Sequence, residues 1–165
     1  MIKKTLQHLF ELAINWETQA HDLYIKFANL FEHVPKVSEF WIQLSKDESG
    51  HIEVLKGILN KIPTEKRLME VSNEQWNSVT RVEGLIKEAT TKEVNTLSDA
   101  YEMAHQLEMS EVNTLFKILV NDYLPDKEGH KFIMADVTEH IDKLMTFEKE
   151  YTQSQRRHIN AHKIQ

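Results

Sequence analysis

Two short stretches of the chain offer similar sets of side chains that could bind a metal ion. The first, DESGHIEVL, carries Glu48 three residues before His51, and the second, DVTEHIDKL, carries Val137 at the corresponding place before His140. A glutamate and a histidine three residues apart on a helix lie on one face, so both can reach a single site. The stretches look like copies of one unit, of which the second keeps only the imidazole.

Further glutamates interrupt the apolar faces of the helices that the sequence predicts. Glu17, Glu108 and Glu111 occupy positions that the helical period turns inward, as Glu48 does. Burying a lone carboxylate costs several kcal/mol, and a cluster of carboxylates repels itself. No arginine or lysine lies on these faces, so a metal cation, protonation or buried water has to compensate the charge.

Carboxylates and imidazoles, in a chain without cysteine, suit iron, manganese or zinc. The lack of cysteine also excludes disulfides, thiolate metal sites and cysteine nucleophiles within these 165 residues. We therefore predict a metal site for one or two ions, and we single out no further catalytic residue. The predicted ligands are Glu17, Glu48, His51, Glu108, Glu111 and His140.

Helices have to position these side chains, and the prolines mark where one helix is separated from the next. Pro35, Pro63 and Pro125 are the only prolines, and a proline inside a helix removes a hydrogen bond and clashes with the preceding turn. Between these points apolar residues recur at spacings of three and four, which predicts amphipathic helices. The four long blocks are residues 4–32, 37–60, 97–123 and 127–155.

The connection between the second and third blocks, residues 63–96, is long and has a weaker helical pattern. A structureless loop of that length is unusual in a compact domain, so we predict a crossover that contains a short helix. The other two connections are short, which favours antiparallel hairpins. The prediction is an all-α fold, a ferritin-like four-helix bundle with a long crossover between helices 2 and 3.

A chain of 165 residues suits one domain with a continuous core. We expect the bundle to occupy residues 1–155 and residues 156–165 to form a polar, frayed tail. His158 and His162 in this tail are spaced like a metal-binding pair. Because no third ligand is in register with them, we expect both to be exposed to solvent.

The charge pattern argues against several classes of partner. The formal net charge is −6, and glutamates alternate with lysines along the chain, so we expect neither nucleic acid nor an anionic membrane as the main partner. Gln7, His8 and Glu11 break the apolar run near the N-terminus, so we expect neither a signal peptide nor a spanning helix there. A cytoplasmic protein is the expectation.

Over residues 10–150 the chain resembles the rubrerythrin family of the ferritin-like superfamily. The resemblance depends on Glu17 followed seven residues later by Tyr24, on Glu48 with His51, and on Glu108 with Glu111. It implies a site where two irons react with peroxide or dioxygen, with electrons returned through a rubredoxin domain. It also implies that Glu108 and Glu111 are the two third-helix carboxylates, one of which can exchange with a histidine. Tyr24 would hydrogen-bond to a ligand, and a homodimer is common in proteins of this likeness.

Two departures from the family pattern bear on function. Without cysteine these residues contain no rubredoxin-type module, so a redox cycle is expected to need an external electron donor. Val137 stands where the family places its second bridging glutamate. The alternatives are a weaker site for two metals, a single metal held mainly by Glu17, Glu48 and His51, or no metal.

Iron oxidation or peroxide reduction is accordingly the leading functional hypothesis. The alternative, from a different class, is a non-catalytic helical bundle with a degenerate metal site that acts through self-association or a protein partner.

Replacement of Val137 by glutamate tests the first departure. We expect Val137→Glu to strengthen metal binding, because it restores the carboxylate that the second stretch lacks. Ferrous-ion titrations of the variant and of the wild type measure the effect. An unchanged affinity would mean that the neighbouring ligands no longer fit the geometry of a bridging carboxylate.

Overall fold

The computed structural model of the chain describes residues 4–109, 111–124 and 127–162. A few side chains inside the helices, those of Glu111 and Val137 among them, lie outside this description. The described helices are α1 (Leu6–Leu30), α2 (Pro35–Lys61), α3 (Thr64–Arg67), α4 (Asn73–Thr91), α5 (Leu97–Glu108), α6 (Glu111–Tyr123), α7 (Lys127–Glu150) and α8 (Gln153–His158).

The predicted ferritin-like bundle is confirmed, with its long crossover between the second and third bundle positions. Helix α1 packs along α2, α6 contacts α1 and α2, and α7 contacts α5 and α6. The bundle thus has four positions, which are filled by α1, by α2, by α5 together with α6, and by α7. Among the described residues the only β-type pairings are two isolated bridges, Thr5 with Glu70 and Thr96 with Asn160.

Local sequence signals explain where several helices begin. The Thr5 hydroxyl accepts a hydrogen bond from the His8 backbone N–H at the start of α1, over 3.3 Å. Pro35 is the first residue of α2, a position where its missing N–H costs nothing. Ser72 and Gln75 form a reciprocal capping box at the start of α4.

The crossover and the third block differ from the prediction. The crossover contains α4, a helix of 19 residues that packs against α1, α5 and α6 and buries Val79, Val82 and Ile86, so it covers the bundle instead of only connecting it. The third block is two helices, α5 and α6, and the expectation of one continuous helix over 97–123 is wrong. Helix α5 ends at Glu108, where the backbone N–H of Met109 bonds to the His105 carbonyl.

A layer of aromatic rings joins three of the bundle helices. Trp41 of α2 is fully buried, and its ring centroid lies 5.9 Å from that of Tyr24 and 5.1 Å from that of Phe27, both on α1. On its other side it lies 5.7 Å from the ring of Phe147 on α7, which also stacks on Phe40 at 4.1 Å. This layer fixes the lateral positions of α1, α2 and α7.

The described part of the C-terminal stretch, up to His162, is not the frayed extension that we expected. Residues 153–158 form α8, and Arg156 is buried, with 4% of its surface exposed. Its guanidinium carbon lies 4.0 Å from the centre of the Tyr101 ring, and Nη1 donates to the Tyr151 carbonyl over 3.2 Å. The stacked cation explains why this polar stretch docks, because a guanidinium over an aromatic face is favourable when partly desolvated.

In the part of the chain that the structure describes, no helix is both long enough and apolar enough to span a bilayer.

The aromatic layer can be tested with two substitutions on α7. Phe147→Ala removes a ring that is 3% exposed and should lower the free energy of unfolding by about 3–5 kcal/mol. Met145 lies two residues away and is 48% exposed, so Met145→Ala should change the free energy of unfolding by less than about 0.5 kcal/mol. Urea unfolding of both variants measures the difference, and equal effects would contradict the assignment of Phe147 to the core.

Candidate metal site

Five of the six predicted ligand residues come together at the centre of the bundle. Glu17 lies on α1, Glu48 and His51 on α2, Glu108 at the last position of α5, and His140 on α7. All five are buried, with between 0% and 5% of their surface exposed. Their roles as ligands stay predictions.

Glu48 lies between the two histidines. Its Oε2 atom is 3.1 Å from His51 Nδ1, and its Oε1 atom is 3.7 Å from His140 Nδ1. His51 Nδ1 also lies 3.6 Å from Glu17 Oε2. His140 Nδ1 also lies 3.5 Å from Glu108 Oε2. Each histidine thus faces one oxygen of Glu48 and one further carboxylate, which is an arrangement with Glu48 in a bridging position.

The ligand atoms are close enough to share one ion. One atom each of Glu48, His51 and His140 lie within 4.8 Å of one another, and the two imidazole rings stack at 4.8 Å between centroids. Neither ring nitrogen of His140 has a hydrogen-bond partner among the described residues. A buried imidazole without such a partner is costly, and a metal ion would satisfy it.

The electrostatics of Glu48 also fit a cation. Burial raises the pKa of Glu48 well above its ordinary value, and the negative charges of Glu17 and Glu108 raise it further. The largest causes of the shift all raise the pKa. A metal ion would supply the missing positive charge, and the oxygen and imidazole donors suit iron, manganese or zinc.

Tyr24 completes this side of the site. Its hydroxyl donates a hydrogen bond to Glu108 Oε1 over 2.7 Å. The resemblance implied a hydrogen bond from Tyr24 to a ligand, and Glu108 is one of the predicted ligands. Burial, and then the charges of Glu108 and Glu48, raise the pKa of Tyr24 well above its ordinary value. The phenol therefore stays protonated and acts as a donor.

A small cavity adjoins the carboxylates, with Glu17, Tyr24, Glu48 and Glu108 among the residues that line it. Ile86 of the crossover helix α4 closes part of its wall. The cavity measures about 10 Å³, which is room for roughly one water-sized particle.

Sequence reasoning missed a charged pair behind His140. Asp47 Oδ2 lies 3.5 Å from His140 Nε2 and accepts a hydrogen bond from Lys143 Nζ over 2.6 Å. Burial alone would lower the pKa of Lys143, but the hydrogen bond to Asp47 and the charges of Asp47 and Glu139 raise it above its ordinary value. If His140 bound a metal ion through Nδ1, Asp47 would be the carboxylate nearest to its other ring nitrogen, Nε2. The only sequence signals were the acidic neighbour of Glu48 and a lysine three residues after His140.

The side chains of Glu111 and Val137 lie outside the described part of the structure. The proposed role of Glu111 as a ligand and the effect of the valine stay predictions.

The family model named Rubrerythrin matches residues 8–130 of the chain. The chain belongs to the rubrerythrin family. Comparisons with curated proteins and with solved structures found no match. The resemblance to the family is confirmed over residues 8–130, a range that includes Glu17, Glu48, His51 and Glu108. This range ends before Val137 and His140, the stretch in which the chain departs from the family pattern.

The raised pKa of Glu48 predicts how the stability of the metal-free rubrerythrin-family protein depends on pH. The folded state holds the proton of the Glu48 carboxyl more tightly than the unfolded state does. The free energy of unfolding that this proton contributes is therefore fully present below pH 4.5, the ordinary pKa, and is lost as the pH rises through the raised pKa. Glu48→Gln removes the buried charge. At pH 8 it should raise the free energy of unfolding of the metal-free protein by roughly 1–3 kcal/mol, with a smaller gain at pH 5.

Urea unfolding at the two pH values, with chelator present, measures this effect. Glu102→Gln, on the exposed face of α5, is the matched control and should change little at either pH. If Glu48→Gln lowered the free energy of unfolding at pH 8, it would contradict the inference that ionisation of buried Glu48 destabilises the metal-free fold.

Proposed function

We propose that the chain binds iron between Glu48 and the two histidines, and that the bound iron reacts with dioxygen or peroxide. The reaction is iron oxidation or peroxide reduction. The observation that carries the proposal is the position of Glu48, whose two carboxylate oxygens face His51 on one side and His140 on the other.

Each residue has a defined part in holding the metal. Glu48 would bridge two ions or anchor one, and His51 and His140 would donate nitrogen. Glu17 and Glu108 would add carboxylate oxygens on either side, with Glu111 as a further predicted carboxylate. Together these four glutamates would balance the charge of two divalent ions. A single ion, or manganese or zinc in place of iron, is the alternative that the donor set allows.

Bound iron would supply the electrons that reduce the oxidant. The residues around it control protons and water. The Tyr24 hydroxyl stays protonated and donates a hydrogen bond to Glu108, which fixes the orientation of that carboxylate. Phe116 covers His51 with its ring centroid at 4.4 Å and is itself fully buried, so it limits access of bulk water from that side.

Return of electrons to the site needs a donor. Since the 165 residues contain no cysteine, a thiolate-bound iron centre in this segment cannot serve, and we propose an external electron donor. A homodimer and a cytoplasmic location are also proposals, and both are predictions from the sequence.

Ferrous loading distinguishes this function from the rival, a non-catalytic bundle with a degenerate site. The chain is loaded without oxygen, desalted and analysed for iron, and absorption of ferric iron in the near ultraviolet is followed after addition of dioxygen or peroxide. We expect one or two irons per chain and rapid oxidation in the wild type. Glu48→Ala should abolish both, because it removes the residue shared by the two halves of the site.

Glu102→Ala is the matched control, since Glu102 is exposed on α5 and outside the site. The iron content distinguishes the two-ion from the one-ion site. Less than about half an iron per chain, without oxidation of added ferrous iron, would support the non-catalytic rival.

A further inference from the structure

Three histidines from two distant parts of the sequence line one surface pocket. His33 lies in the turn between α1 and α2, His158 ends α8, and His162 follows it in the C-terminal segment. The pocket has a volume of about 390 Å³. The sequence offered His158 and His162 as a pair that lacked a third ligand, and the fold supplies His33.

Two of the three rings are already in contact. The centroids of His33 and His162 lie 4.2 Å apart, with the ring planes at 88°. His33, His158 and His162 are all exposed, as predicted for the last two. Among the described residues, only Glu48, His51 and His140 already have ligand atoms within 4.8 Å of one another, so a site at the surface pocket requires the His158 ring to turn toward the other two. An exposed side chain changes rotamer within nanoseconds.

The backbone beneath the histidines is fixed by hydrogen bonds to the bundle. The segment after α8 makes three of them: Leu97 N–H to the Ile159 carbonyl at 2.9 Å, Ala161 N–H to the Asn95 carbonyl at 2.8 Å, and His162 N–H to the Leu30 carbonyl at 2.9 Å. The last bond places His162 beside the turn that carries His33. Such preorganisation reduces the entropy that a ligand has to overcome.

We propose that His33, His158 and His162 form a second metal site, for a divalent transition-metal ion that prefers imidazole. Zinc is the favoured ion. Three imidazoles with water in the fourth position suit zinc, copper or nickel, whereas magnesium, calcium and manganese prefer oxygen ligands. The donor set thus differs from that of the buried site, which is rich in carboxylates. The bound ion would fasten the C-terminal segment to the turn between α1 and α2.

Zinc titration of the full chain by calorimetry tests the site. We expect wild-type protein to show a class of zinc sites that Glu48→Ala does not remove. His33→Gln and His162→Gln should each weaken that class by about tenfold or more, because each removes one ligand. His105→Gln is the matched control, since His105 is also exposed but does not line the pocket.

Wild-type zinc affinity in both His33→Gln and His162→Gln would overturn the proposal. A loss confined to Glu48→Ala would likewise overturn it, because all zinc would then be at the buried site. Failure of iron binding at Glu48 leaves this result unaffected, so the two proposals fail separately.

Limited proteolysis gives a second readout. Arg157 in α8 is exposed, so trypsin cleavage after it reports how firmly the C-terminal segment is docked. Zinc should slow this cleavage in the wild type and in Glu48→Ala, and should have no effect in His33→Gln. His33 is far from the cleaved bond in sequence, so its effect cannot be a change in the protease recognition sequence. Equal protection by zinc in His33→Gln would contradict the site.

Discussion

The burial of Glu48 between two other carboxylates is the constraint on which the rest of the structure depends. In the unfolded chain Glu17, Glu48 and Glu108 are hydrated, and in the bundle each is at most 5% exposed. Folding without metal therefore favours the protonated form of Glu48, and the packed helices have to offset the cost of burying these carboxyl groups. Metal binding would remove that cost, so affinity for the ion and stability of the fold are thermodynamically linked.

The aromatic layer around Trp41 lies next to this cluster and offsets part of its cost. Tyr24 belongs to both, because its ring stacks against Trp41 and its hydroxyl donates to Glu108. Large buried rings contribute apolar area and hold α1, α2 and α7 in register. A rigid layer on one side is what allows the carboxylates to keep their positions when no ion is present.

The sequence predicted those parts of the structure that follow from helical periodicity. Glu17, Glu48, His51, Glu108 and His140 are polar residues at inward positions, and the structure brings all five together. Features that depend on contacts between distant segments could not be predicted. Asp47 and Lys143 are 96 residues apart and meet only through packing of α2 on α7. Arg156 lies in a polar run and is buried against the Tyr101 ring, with a hydrogen bond to the Tyr151 carbonyl.

Ile86 brings the crossover helix into contact with the candidate metal site. Because this side chain forms one wall of a space of about 10 Å³ beside the carboxylates, that space admits a particle the size of water and excludes an organic molecule. A bulky reactant would have to displace α4, which is packed against α1, α5 and α6. In the proposed reaction, the crossover helix would therefore admit only small reactants from this side of the site.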